Sequence, residues 1–119
     1  MKFYGIQLKG YIKDSIIDVA SGPRALISDE SGRIFTNVGA SGSVTFTLPT
    51  AEAGLMYSFA KVVAQDVVID AADGDYIADS AASGNVSNTR DGETWGFLTL
   101  LAVSPSMWLM YGTGTWMTS

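Results

Sequence analysis

Carboxylates are the most densely placed reactive groups in this chain. Asp70, Asp73, Asp75 and Asp79 stand close enough in sequence to gather oxygen ligands around a calcium ion. However, the run Asp70-Ala71-Ala72-Asp73-Gly74-Asp75 lacks the ligand spacing of an EF-hand loop, and no glutamate follows at the bidentate position. Asp73-Gly74 lies instead between the apolar runs Val67-Val68-Ile69 and Tyr76-Ile77, where it predicts the turn of a β-hairpin. Two tighter groups, Asp29-Glu30 and Asp91-Gly92-Glu93, have the residue types of a glycosidase acid and base. That chemistry requires one carboxyl with a raised pKa, and nothing adjacent in sequence supplies a cause. Beside Ser31, Gly32 and Gly92 these acids read as exposed turn residues.

Neither histidine nor cysteine occurs among the 119 residues. Imidazole general bases, Ser-His-Asp triads, thiolate nucleophiles, disulfides, iron–sulfur clusters, and haem or zinc sites built on these ligands are thereby excluded. The redox compartment stays open, because a chain without thiols suits either. Gly39-Ala40-Ser41-Gly42-Ser43 is too short for a phosphate loop and has no following Gly-Lys-Ser/Thr, so it predicts a turn before a strand. The sequence therefore nominates no catalytic residue, no cofactor and no metal ligand, and an enzyme is not expected.

Trp95, Trp108 and Trp116, with Met107, Met110 and Met117, form the most informative group. They occupy Thr94 to Ser119, a stretch of 26 residues without a single charge. Three readings are open: an ordinary core, a subunit interface, and an aromatic platform for sugar stacking. For the interface the candidate residues are Trp95, Trp108, Leu109, Met110 and Trp116. A membrane helix fits poorly, since the apolar part from Trp95 to Tyr111 spans 17 residues and is interrupted by Thr99 and Ser104-Pro105-Ser106. Two strands, about 95–103 and 107–111, joined at that proline turn, fit better. Strands apolar on both faces are expected to be buried on both, with one face covered by a neighbouring subunit.

Charge elsewhere is uneven. Residues 1–65 carry six bases and five acids, whereas 66–119 carry Arg90 against seven acids. Charged residues make up only 16% of the chain, below the ~25% of an average domain. Some surface is thus expected to be reserved for another chain. Nucleic acid is not an expected partner, because phosphate binding needs clustered lysine and arginine. Lys2 and Lys9 fall where a signal peptide needs its apolar run, so export through a cleaved leader is not expected either.

The elements that must position these residues read as β throughout. Gly, Asp, Ser and Asn clusters recur at short intervals, with β-branched and aromatic runs between them. Ser43 to Leu48 alternates, placing Val44, Phe46 and Leu48 on one face, and Pro49 ends the strand. Residues 50–54 predict a turn and about 55–63 a strand, although Leu55, Phe59, Val62 and Val63 also fit helical spacing. No solenoid-type repeat and no linker appears. The expected fold is all-β: a small antiparallel sandwich or barrel in one domain.

Gly32 to Pro49, continuing through Ala51, Gly54, Tyr57 and Phe59, resembles a β-rich module of tailed-bacteriophage virion proteins, found in tail-fibre and head-associated components. Its later parts match at Asp73-Gly74-Asp75, Leu98-Thr99-Leu100-Leu101-Ala102-Val103, Trp108 and Gly114-Thr115-Trp116. The resemblance covers about residues 29–117 and divides the chain into an N-terminal arm or first strands (1–28) and a β-rich virion module (29–119). It implies a structural, often trimeric, particle component without catalytic residues. The expectation is a trimeric capsid decoration (cement) protein assembled in the host cytoplasm, bound to other virion proteins, with the major capsid protein preferred over tail proteins. A tail-fibre, spike or baseplate component is the alternative within that class. A carbohydrate-binding module is the alternative outside it.

Overall fold

The computed structural model describes residues 15–119; the first half of the expected arm, and the start of the chain on which the leader expectation rests, lie outside these residues. The described residues are nearly all β. In chain order the strands are β1 (Ile16–Asp18), β2 (Arg24–Ala25), β3 (Ile34–Thr36), β4 (Val44–Thr47), β5 (Met56–Lys61), β6 (Val67–Asp70), β7 (Tyr76–Ile77), β8 (Asn85–Asn88), β9 (Gly96–Ser104), β10 (Met107–Thr113) and β11 (Met117–Thr118). A single 3-10 turn, Ser28–Glu30, lies between β2 and β3.

These strands form two sheets, a six-stranded one in the order β1-β3-β5-β9-β10-β7 and a five-stranded one in the order β11-β8-β6-β4-β2. The chain changes sheet at each step from β1 to β9. As far as β6, each strand that returns to its own sheet after visiting the other arrives in the direction of its predecessor, so this part of the winding generates parallel neighbours. Thus β1, β3 and β5 are mutually parallel, as are β2, β4 and β6. The register carries Ile16 to Ile34 to Ser58 in one sheet and Arg24 to Phe46 to Ile69 in the other. Strands β8, β9, β10 and β11 then pair antiparallel, and β7 lies parallel to β10 at the far edge. The wholly antiparallel arrangement expected from turn spacing is therefore corrected to a mixed one.

Alternation places one face of each strand in a common core. Phe35, Tyr57, Phe59, Leu98, Leu100 and Trp108 of the first sheet meet Val44, Phe46, Val67, Ile69 and Val86 of the second. Phe46 lies 5.1 Å from Phe59 and 5.7 Å from Phe35, centroid to centroid, and Tyr57 lies 5.9 Å from Trp108. Each such aromatic pair contributes ~0.5–1.5 kcal/mol beyond the burial of its area.

Local expectations fare unequally. The strands placed at 43–48, 55–63, 95–103 and 107–111 are present as β4, β5, β9 and β10, and Ser104-Pro105-Ser106 does turn the chain between the last two. Asp73-Gly74 is a turn, with Gly74 at φ +84 and Asp75 N donating to the Ala72 carbonyl at 3.0 Å. It is not a hairpin turn, because β6 and β7 belong to different sheets. Residues 16–18 and 24–25, from the second half of the expected arm, are edge strands of the two sheets.

Candidate functional site

The carboxylates singled out by sequence are dispersed into separate structural tasks. Asp75 is buried and accepts the Ala51 amide at 2.8 Å, fixing the loop after β4. Asp73 accepts the Ser83 hydroxyl at 3.1 Å, and that hydroxyl accepts the Gly74 amide at 2.8 Å. Asp79 accepts the Thr118 hydroxyl at 2.5 Å. Among the described residues no three acidic side chains are placed to hold a metal ion.

In the two carboxylate pairs Asp29 and Asp91 are exposed, as expected of turn residues, whereas Glu30 and Glu93 are not. Glu30 is buried; it accepts Arg24 Nη2 at 2.8 Å and the Ile27 amide at 3.1 Å, while the Arg24 guanidinium lies 5.2 Å from the centre of the Phe35 ring. Glu93 accepts Asn88 Nδ2 at 2.6 Å and both the amide and the hydroxyl of Thr115 at 2.8 Å. These bonds, the Asn88 side chain first and then Thr115, bring its carboxyl down to about 2. A glycosidase acid needs the opposite shift. Asn88 in turn accepts Lys61 Nζ at 3.2 Å, and Nζ also donates to the Arg90 carbonyl at 2.9 Å. Lys61 is fully buried on the inner side of β5, so this chain of bonds joins β5, β8 and the segment after β10. A Cβ at Gly114, whose φ is +98, would sit 2.7 Å from Glu93 Oε1.

The five candidate interface residues do not converge. Trp108 is 1% exposed within the chain's own core, its Nε1 without a partner. Met110 and Trp116 are half-buried and pack against the same core, and Trp116 Nε1 donates to the Thr113 carbonyl at 2.9 Å. Trp95 is 76% exposed at φ +67, and Leu109 is 54% exposed.

What the structure does bring together is the outer face of the six-stranded sheet. Cross-strand pairing aligns Met56, Leu101 and Leu109 in one row, and Ile16, Ile34, Ser58, Thr99 and Tyr111 in the next. A third row holds Asp18, Thr36, Ala60, Phe97 and Thr113. No outward position of β5, β9 or β10 carries a charge. Burial on both faces, expected for β9 and β10, is thus met on the inner face; of their outward side chains Thr99 is buried, whereas Phe97, Val103, Met107, Leu109 and Tyr111 are exposed. Sequence reasoning missed Met56, Ile16 and Ile34 as members of this face, since their strands meet β9 and β10 only through pairing. Phe97, Leu101, Val103 and Tyr111 alternate with core residues along β9 and β10, and that alternation was the available signal.

No protein-family model matches the chain, and no curated protein is similar to it.

Proposed function

We propose that the chain is a bacteriophage virion structural protein, a trimeric capsid decoration protein that stabilises the head by adding contacts across capsid subunits. The observation that carries this reading is the outer face of the six-stranded sheet, which has no charge at the outward positions of β5, β9 and β10 and exposes Met56, Phe97, Val103, Leu109 and Tyr111. The module resemblance over residues 29–117 supports it, as does the use of Asp73, Asp75, Asp79, Glu30 and Glu93 in fastening loops and chain segments. In this reading the two sheets are the layers of a β-sandwich, and the protein assembles in the host cytoplasm and resides in the virion. The acidic turns and the N-terminal residues are the parts left to meet the particle, with neither nucleic acid nor membrane as partner. Among the described residues no helix is long and apolar enough to cross a membrane. Purified protein is expected to co-sediment with mature heads lacking it. Binding to isolated tails alone would favour a tail-fibre, spike or baseplate role, and binding to neither would overturn both.

A carbohydrate-binding module is the second reading, favoured by the exposure of Trp95 and Tyr111. It predicts a shift in tryptophan emission on titration with host surface polysaccharide, lost in Trp95→Ala. An unchanged spectrum contradicts it.

A further inference from the structure

Lys61 follows Tyr57 and Phe59 in the alternation of β5, at an inward position where the core otherwise takes apolar side chains, and it is fully buried. An ammonium in such a place is costly unless a carboxylate lies against it. Among the described residues the ion pairs are Arg24 with Glu30 and Arg90 with Glu93, and neither includes Lys61. Its Nζ donates instead to amide oxygens: Asn88 Oδ1 at 3.2 Å, the Asn88 carbonyl at 3.4 Å and the Arg90 carbonyl at 2.9 Å. Asn88, the last residue of β8, is likewise fully buried.

The surroundings fix the orientation of the Asn88 carboxamide. Oδ1 accepts from Lys61 Nζ and from the Arg90 amide, the latter at 3.3 Å, whereas Nδ2 donates to Glu93 Oε1 at 2.6 Å. The reverse orientation would set an NH2 group against two donors and an oxygen against a carboxylate. The contact is also walled in. A Cβ on Gly96 would stand 2.9 Å from Asn88 Nδ2, and one on Gly114 would stand 2.7 Å from Glu93 Oε1. An amine, a carboxamide and a carboxylate held in this order supply a nucleophile, an electrophile and a proton carrier, and the Arg90 amide is placed to support negative charge on Oδ1.

We propose that Lys61 and Asn88 condense into an isopeptide bond, with Glu93 as the catalytic proton carrier. The free amine of Lys61 attacks Asn88 Cγ; a bond forms between Nζ and Cγ as the carbonyl electron pair moves onto Oδ1. The pair then returns, the bond from Cγ to Nδ2 breaks, and Nδ2 leaves as ammonia. One proton passes from Nζ to Nδ2 by way of the Glu93 carboxylate, and the step balances with no other reactant. The bond from Asn88 Nδ2 is the first cause of the lowered Glu93 carboxyl, and it weakens as that nitrogen becomes an amine, which lets Glu93 take up the proton in transit. The bonds from Thr115 to Glu93 are not part of the reaction. The product replaces a buried amine with a neutral amide and ties β5 of one sheet to β8 of the other. It joins residues 27 positions apart, a covalent tie in a chain that has no cysteine to form one.

Mass spectrometry of the purified full chain tests this. The wild type should be lighter than its sequence by one ammonia. Trypsin should fail to cut after Lys61, leaving a single peptide of residues 34–90, and cleavage at the aspartates between positions 61 and 88 should leave its two ends joined. Lys61→Arg keeps a cation but removes the nucleophile, and should have its full mass. Glu93→Gln with native circular dichroism should also keep its ammonia and be cut after position 61. A wild type of full mass that trypsin cuts after Lys61 overturns the proposal. So does a missing ammonia that leaves the two ends separable, as a succinimide at an asparagine would. A folded Glu93→Gln protein cross-linked as completely as wild type overturns the role of Glu93 while leaving the bond standing. Where Glu93→Gln loses its native spectrum, the wild-type digest decides by itself.

Discussion

At Glu93 one carboxylate ties the loop after β8 to the segment that follows β10, by accepting from Asn88 and twice from Thr115. Its carboxyl, at about 2 in the folded protein against an ordinary 4.5, contributes stability that is present above pH 4.5 and lost as the pH falls toward 2. Urea melts across that range should show Glu93→Gln with a flatter acid limb than wild type. Tyr57 gives the mirror case. Burial, with Glu30 and Asp29 nearby, pushes its hydroxyl up to about 12, and it donates to the Ile27 carbonyl at 2.7 Å. Because the folded value exceeds the ordinary 10.0, that stability is complete below pH 10 and is lost as the pH rises toward 12. In an ultraviolet titration a tyrosine step near pH 12 is expected, and Tyr57→Phe should remove it. Asn37 is fully buried and uses its whole side-chain amide, donating to the Val63 and Gln65 carbonyls and accepting the Val62 and Val63 amides. Asn37→Ala strands these four groups and should cost more than ~2 kcal/mol in chemical denaturation.

Individual strands were legible wherever a local pattern sufficed. Val44, Phe46 and Leu48 alternate with polar residues, and all three are buried. The β9–β10 hairpin was legible because a proline turn divides an uncharged apolar run. The sheet to which a strand belongs was not legible. Asp73-Gly74 has the same local sequence whether its flanking strands pair or part, and pairing with β10 decides the matter for β7. Among the candidate sites, the acids were found but not their work, since the partners of Glu93 and Asp75 lie 22 and 24 residues away in sequence. Of the apolar candidates, Leu109 and Trp108 are neighbours in sequence, and strand alternation sends one outward and the other into the core. Gly112 marks the closest approach within this hairpin: a Cβ there would collide with the Phe97 carbonyl oxygen. Gly112→Ala should therefore destabilise by ~1–3 kcal/mol, measured by thermal unfolding, as overpacked sites do. Phe46→Ala, which empties the aromatic cluster joining the sheets, should cost ~3–5 kcal/mol.

At the scale of the whole molecule, winding between two sheets explains both what is rigid and what is left open. Each crossing commits a strand to the common core, so the inner faces are closed by the chain itself. Among the described residues no element lies over the outer face of the six-stranded sheet, and the uncharged C-terminal segment supplies the outward positions of β9 and β10. Of the acids in 66–93, Asp73, Asp75, Asp79 and Glu93 fasten turns and chain segments. Attachment to a phage head is the proposed role, and quantitative mass spectrometry of purified virions is its test. This chain is expected at a copy number comparable with that of the major capsid protein; virions that lack the chain, from cells that express it, would overturn the role.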